Sequence, residues 1–520
     1  MKKKNLLFLA AALIMLPLTV YGGGGQQSAS GKPEISYTIL DRGSVVADEG
    51  TYAQNRWVTW INENSPVNVK PVPVLRSESV QQINILFAAG TAPDLVIEYG
   101  KSFMDNLYAQ GVLQPVDQHI ERYSTAYKAY LQKYPELLPY LIAEDGRQYA
   151  MSSRRAITDL YIYGWWIRQD WLQKFGMQAP THINQMIDFC RRVRDENPSG
   201  NAEGDFGFVF RVLYFDAIAD IFGKPYDNFL VENGHFTDWT STQGYRDYLS
   251  FWAQLYREGL MDREFITDPS STRQEQYRDV GRAGMYFGVR PSNGGTFFAK
   301  TLRQNVPTGV LVPMDPPATD YGRFAHQTQE LPEYIVCMNK NAKNPQAIIQ
   351  YVDWLVDTGW KTLTWGFEGV HYTMRDGVPF PDQTPSIRDQ YRYLGDTAFI
   401  RRRHEIETPA YLYTESVNPA DPLSVEYGTV MRDWFAARLN DRPRQFVPYA
   451  PSSDLIARYR TETEGQTTQV KQLEIGIVTG QIPVDQGIQM INTYKNSVGW
   501  AAVNAEKDAW YQKNKQLFNF

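Results

Sequence analysis

The stretch Phe87–Gly100, reading FAAGTAPDLVIEYG, does most to constrain what this chain can fold into. It reads as the end of an apolar helix, a turn, and a buried strand that stops at two polar residues. Ile83, Ile85, Leu86 and Ala89 carry helical spacing up to Gly90. A glycine just past the last turn accepts the left-handed conformation cheaply. Pro93 cannot continue a helix, and Asp94-Leu95-Val96-Ile97 is the short apolar run of a parallel strand covered on both faces. That strand hands Glu98 and Tyr99 to its carboxyl end, where open α/β sheets place their ligands.

The same alternation continues along most of the chain and predicts an α/β architecture. Strands are expected at Ile35–Leu40, Val67–Val74, Asp94–Ile97, around Tyr149–Met151, and at Leu160–Ile167, Gly284–Gly288, Gly309–Pro313 and Glu333–Met338. Pro71 and Pro73 mark the second of these as an edge. Helices are expected at Tyr52–Asn62, Ser77–Ala89, Phe103–Gln110, on through Leu141, at Asp170–Phe175 before Gly176, from a Thr181 cap onward, and at Ala347–Val356. Beyond Gly369 the chain turns largely helical, with Leu423–Leu439 and Ile482–Trp510 the clearest segments. Trp57, Trp60, Trp252, Trp354 and Trp434 lie on helices among apolar neighbours and read as core.

Compartment follows from the start of the chain. Lys2, Lys3 and Lys4 precede an apolar run from Leu6 to Leu16 that extends to Val20, a pattern read as a cleaved export signal over residues 1–22. The run is shorter than the roughly 20 apolar residues of a membrane span. Residues 23–32, rich in Gly, Gln and Ser, read as a flexible tether. Loss of the leader removes three lysines and no acid, taking the net charge from −6 to −9. That balance argues against nucleic acid and against an anionic membrane surface as partners. Aromatic content is 14%, with 33 Tyr and 13 Trp against only 6 His, which favours stacking surfaces over metal or imidazole chemistry. The two cysteines, Cys190 on an amphipathic helix and Cys337 inside a strand, read as small buried hydrophobes and are expected to stay unpaired. The length suggests two or three domains.

Several blocks, in order and at characteristic spacing, resemble the family 1 extracellular solute-binding proteins, the sugar-capturing subunits of bacterial ABC importers. They are the AAGTAPD of Ala88–Asp94, Gly146-Arg147-Gln148-Tyr149-Ala150, Trp166–Gly176 with Pro180-Thr181 following, Glu258–Phe265, Gly281–Met285, and Trp365-Gly366-Phe367-Glu368-Gly369-Val370-His371-Tyr372. The last block is similar to the large lipoprotein-like branch, which includes alginate-binding proteins and other oligosaccharide carriers. The resemblance implies a two-lobe periplasmic-binding-protein fold of type II, each lobe a mainly parallel sheet flanked by helices, with a helical C-terminal region. Lobe one is expected from residues 33–151 and 331–388, lobe two from 152–330 and 389–520. It further implies capture of a carbohydrate by hinge closure, without turnover and without a cofactor. The partners implied are membrane permease subunits, served by a monomer in the periplasm or outside the cell.

The chain departs from the family pattern twice. No lipobox cysteine follows the leader, which leaves a membrane tether without its anchor residue. The loop that often binds calcium reads Asn197-Pro198-Ser199-Gly200-Asn201-Ala202-Glu203-Gly204-Asp205, with neutral residues at two carboxylate positions. It reads as a plain polar turn, with a shifted register that uses Asp195 as the alternative; no metal site is assigned.

Sugar recognition needs aromatic faces for pyranose C–H surfaces and planar polar groups for hydroxyls. The candidates at strand ends are Glu98, Tyr99, Arg154, Tyr163, Trp165 and Arg290, joined by Trp365, Glu368 and Tyr372 in the glycine-flanked block. The rival reading is an exported glycoside hydrolase, also acidic and aromatic-rich, which would need two carboxylates at a set separation. No motif singles out such a pair. There is no His-Glu-x-x-His, Gly-x-Ser-x-Gly or P-loop pattern either.

Overall fold

The computed structural model describes residues 31–156, 163–210, 218–225, 228–268, 271–289, 296–322, 330–382, 384–417, 420–438, 453–464 and 468–517. Among these residues the strands are, in chain order, β1 Glu34–Asp41, β2 Asn68–Leu75, β3 Leu95–Glu98, β4 Ala150–Met151, β5 Tyr163–Arg168, β6 Phe206–Phe210, β7 Phe229–Glu232, β8 His235–Asp238, β9 Ala283–Val289, β10 Leu311–Met314, β11 Ile335–Met338, β12 Tyr372–Arg375 and β13 Val378–Pro381. Two sheets organise the molecule: β2-β1-β3-β11-β4 and β10-β5-β9-β6. Each runs in one direction apart from a single reversed strand, β11 in the first and β5 in the second. No helix among the described residues is long and apolar enough to cross a membrane.

The first sheet forms as the sequence suggests. In β1 Ile35, Tyr37, Thr38, Ile39 and Leu40 are all buried, so both faces of the strand are covered. Pro71 and Pro73 sit in β2 at the sheet edge, two apart and therefore with their missing N–H groups on one side. Asp94 explains the acid at the end of AAGTAPD. Its carboxylate accepts from the Ser36 backbone N–H (2.8 Å) and hydroxyl (2.7 Å), and its own N–H donates back to the Ser36 oxygen (3.0 Å), locking β3 against β1. The first helix begins at Arg56 rather than Tyr52, because the Asn55 side chain caps it by accepting from Trp57 and Val58 N–H. The long helical region through Leu141 is three helices, 117–123, 126–133 and 138–141. It breaks at extended Ser124 and at Tyr134, whose backbone the following Pro135 pushes out of the helical region.

In the second sheet Trp165 and Trp166 point to opposite faces of β5. Trp165 packs in a core with Phe208, Phe287 and the helix Ile183–Glu196; Trp166 packs with Phe298, Leu302, Tyr427 and Met431 on the other side. Helices thus cover both faces, and the late helices Gln469–Val478 and Val484–Ser497 complete the first of these layers. The predicted Ile482–Trp510 helix is two helices, broken at Gly499 with φ 103°. The helix Ile183–Glu196 is capped by His182, not Thr181: the imidazole accepts from Asn184 N–H, while Gln185 takes up the Thr181 and His182 N–H groups. Gly207 is required here, since a Cβ on it would lie 2.4 Å from Cys190 Cβ. Cys190 and Cys337 are fully buried free thiols in different cores. The five core tryptophans expected from sequence all pack in core clusters.

The chain stays with the core of the first sheet further than residue 388. Tyr393, Leu394, Ala398, Phe399 and Ile400 are buried in the core that holds β1, and Tyr411 of the helix Pro409–Ser416 packs on Trp360 and Trp365. The helix Pro422–Arg438 then lies on the second sheet through Tyr427 and Met431.

Candidate functional site

The carboxyl ends of β1, β2 and β3, the end of β4 and the start of reversed β11 all meet at one edge of the first sheet. The residues just past those ends are Arg42, Arg76, Tyr99, Ser152–Arg155 and, before β11, Glu330–Tyr334. Two passages of chain between the first sheet and the second run through this same edge.

Four side chains there close a ring of hydrogen bonds. Arg42 Nη2 donates to the Tyr99 hydroxyl (2.8 Å), which donates to that of Tyr334 (3.1 Å). Tyr334 donates to Asp396 (2.9 Å), and Asp396 accepts from Arg42 Nε (2.7 Å) and Nη2 (2.9 Å). Burial, reinforced by the Asp396 charge, holds the Tyr334 hydroxyl protonated far above its ordinary range. Arg76 lies over the Tyr99 ring at 4.9 Å and Arg155 at 5.8 Å. Tyr99 is half-buried and positions guanidinium groups more than it offers a bare face. Glu98, 3% exposed, bonds the Ser79 hydroxyl and its own neighbour's N–H, with Arg76 at 3.4 Å. It braces the edge from beneath.

The two passages pair with each other. Arg155 N–H donates to Leu331 O (2.8 Å) and Glu333 N–H to Ser153 O (2.8 Å). The buried Arg155 guanidinium grips the backbone carbonyls of Glu330, Pro332 and Glu333 at 2.9, 2.8 and 3.2 Å. Glu333, 2% exposed, takes Arg401 (2.5 Å) and Arg403 (2.9 Å) on one oxygen. The Glu330 carboxylate accepts the Lys101 N–H (2.8 Å) at the head of the helix Lys101–Ala109. Arg154, half-exposed, reaches Glu136 only at 3.4 Å, and its Nε has no hydrogen-bond partner among the described residues. It lies 6.0 Å over Tyr134, whose ring meets His404 edge-on at 4.7 Å.

Of the residues selected from sequence, Glu98 and Tyr99 therefore lie together, and Arg154 sits on the paired passages beside them with its side chain over Tyr134. Trp165 is not with them: it is 1% exposed, stacked on Phe208 at 5.6 Å and tilted on Phe287 at 4.9 Å. An inward position on a strand covered from both sides leaves no ring face for a ligand. Trp365 is likewise 3% exposed, packed on Trp360, with its indole N–H donating to Tyr411 (3.2 Å). Glu368 is exposed and Tyr372 half-buried on the turn leading into β12, where a backbone bridge joins them. Tyr163 opens β5, but its side chain, like Arg290, lies outside the described residues. Sequence reading placed Arg155 beside Arg154 after the same strand and missed Arg42, Arg76, Tyr334 and Asp396. Arg42 and Arg76 could have been found, as the second residues after two predicted strands.

In the loop at 197–205 and at Asp195 the carboxylates are engaged by protein groups. The Asp205 carboxylate is taken by the Ser199 N–H and hydroxyl, Glu203 pairs with Arg282 at 2.6 Å, and Asp195 pairs with Arg194 at 2.7 Å. No cluster of three or more metal-ligating side chains occurs among the described residues.

The chain is similar to known proteins in sequence and in fold. The polygalacturonan/rhamnogalacturonan-binding protein YtcQ of Bacillus subtilis (strain 168) is 23% identical over 441 residues, covering 81% of this chain and 84% of that protein. The fructooligosaccharide ABC transporter substrate-binding protein FusA of Streptococcus pneumoniae serotype 4 (strain ATCC BAA-334 / TIGR4) is 27% identical over 212 residues, 36% of this chain and 38% of FusA. The crystal structure of alginate-binding protein AlgQ2 without calcium ion shares the fold, with a TM-score of 0.65 at 20% identity over 92% of this chain and 98% of that one. The family model for bacterial extracellular solute-binding proteins matches residues 62–362, more than half of the 520 residues, and the chain belongs to that family.

Proposed function

We propose that this protein is the extracytoplasmic substrate-binding subunit of an ABC importer, that it captures an oligosaccharide between two units built on its two sheets, and that it releases it unaltered to membrane permease subunits. The observation that carries this reading is the edge of the first sheet. Aromatic and guanidinium side chains gather at strand ends beside two paired passages to the second unit, and the family and the names of the two curated relatives point to carbohydrate binding. Arg42, Arg76, Tyr99 and Arg154 form the first unit's half of the site. The second unit's half is assigned to the ends of β6 and β9 and to the start of β5.

Closure follows from the geometry of the passages. A ligand favours the closed state only through contacts that both units make at once. The ribbon formed by Ser153–Arg155 and Leu331–Glu333 is the pivot, with Arg155 holding its two strands together while φ and ψ change at its ends. Binding without chemistry fits the carboxylates at this edge. Glu98, Glu333 and Asp396 are each held by arginine or hydroxyl partners in a structural role. Titration of intrinsic tryptophan fluorescence against a glycan panel, with product analysis of each mixture, tests the reading. Saturable binding with the glycan recovered intact is expected; steady release of shorter products would make the protein a glycoside hydrolase.

A further inference from the structure

We infer that the oligosaccharide is acidic, built from uronic-acid units, and that Arg76 and Arg154 receive its carboxylates; this rests on the carbohydrate-binding reading above.

The argument is the depth at which each sign of charge lies. Neutral sugars are met with mixed donors and acceptors, because every hydroxyl does both. Here the polar heads exposed beside Tyr99 are guanidiniums: the side chains of Arg42 and Arg76 are 37% and 39% exposed, and Arg154, 38% exposed, lies over Tyr134 beside the exposed Glu136. The acids paired with the first two lie beneath, Asp396 at 5% and Glu98 at 4%. Arg155 adds a buried positive charge held by three backbone carbonyls, with no carboxylate partner among the described residues. A ligand entering over Tyr99 therefore meets the guanidiniums of Arg42 and Arg76 before their acids.

Unused hydrogen-bonding capacity lies on the same groups. Arg76 spends only Nη1, on the Ser79 hydroxyl at 3.3 Å, with Glu98 at 3.4 Å. Its Nε and Nη2 have no partner among the described residues, and its plane is held over Tyr99. Arg154 makes no side-chain hydrogen bond among the described residues, although its Nε is buried; Glu136 at 3.4 Å screens it from one side. A planar guanidinium with two adjacent free N–H groups, fixed by an aromatic ring, is the geometry that takes a carboxylate in two parallel bonds. The network Arg42–Tyr99–Tyr334–Asp396 is already closed on itself, which leaves Arg76 and Arg154 as the receptors.

Isothermal titration of the full chain with oligogalacturonate, oligoglucuronate and oligomannuronate tests this, each set against its methyl ester and against neutral oligosaccharides of equal length. The ester keeps the backbone and removes the charge. At least one uronate series should bind about tenfold or more tighter than its ester, the scale of one charge-assisted hydrogen bond, and should weaken as salt is added. Arg76→Gln and Arg154→Gln should each lower uronate affinity by about tenfold more than they lower ester affinity. Thermal melts check that each variant is folded, and either variant alone suffices. Equal or tighter binding of esters or neutral glycans would overturn the inference and leave the carbohydrate reading standing. Binding of no glycan of any kind would overturn both.

Discussion

Acidification should unfold this protein earlier than its carboxylates alone would, through His404. The imidazole lies between Tyr134 (4.7 Å, 85°) and Tyr130 (6.0 Å, 70°), and neither ring nitrogen has a hydrogen-bond partner among the described residues. Burial first, and then the nearby Arg154 charge, pulls its pKa from 6.5 down to about 4. The folded protein therefore refuses a proton that the unfolded chain accepts between those values. Stability is complete above about pH 6.5, falls as pH drops toward 4, and then levels off. A shift of that size corresponds to at most about 3.5 kcal/mol, since each pKa unit is worth about 1.4 kcal/mol. Glu405, held down to about 2 by Lys133, Arg402 and Tyr134 despite its burial, loses its share only below about pH 4.5. His119 and His371 are also lowered by burial and act in the same direction as His404. His404→Phe isolates one contribution from the rest. Urea unfolding at about pH 7 and about pH 4.5 should show a smaller loss for the variant by about 2–3 kcal/mol. Equal losses in the two proteins would refute the assignment.

Further outcomes follow from the packing. Trp165→Ala should cost about 3–5 kcal/mol of stability as a large core deletion, while the folded fraction keeps its glycan affinity; a selective loss of affinity would return Trp165 to the ligand site. Arg401→Met leaves Glu333 buried with half its compensation and should cost about 3–5 kcal/mol. Pairing it with Glu333→Met should recover much of that loss in denaturant unfolding. Gly207→Ala should destabilise by about 1–3 kcal/mol, because the new methyl meets Cys190 on the overlying helix. Native protein should be inert to thiol reagents, and two thiols should titrate after denaturation without reductant; zero would show a disulfide that two separate cores forbid.

What was legible in the sequence was local. The turn at Gly90 and Pro93, the buried β3 and the prolines of β2 each carry their own reason, and those elements stand where they were expected. At the sheet edge only residues near a strand end were legible: Glu98, which closes β3, Tyr99, which follows it, and Arg154, three residues past β4. Trp165 and Trp365 mark where such reasoning stops. On β5 the alternation of side chains sends Trp165 and Trp166 to opposite faces, but it does not say that both faces are covered. That depends in part on helices that arrive hundreds of residues later. Trp365 is buried for a similar reason, by Tyr411 and Trp360. Asp396 and Tyr334 join the hydrogen-bonded ring around Tyr99 from distant segments, and no local pattern announces them.

Small-angle X-ray scattering of the full chain, with and without a saturating glycan found by titration, tests most directly the claim that a solute is captured between the two units. The account predicts a smaller radius of gyration in the bound state, and no such change for a variant in which Arg76 and Arg154 are both replaced by Gln at the same glycan concentration. An unchanged radius of gyration at demonstrated saturation of the wild-type chain would contradict it.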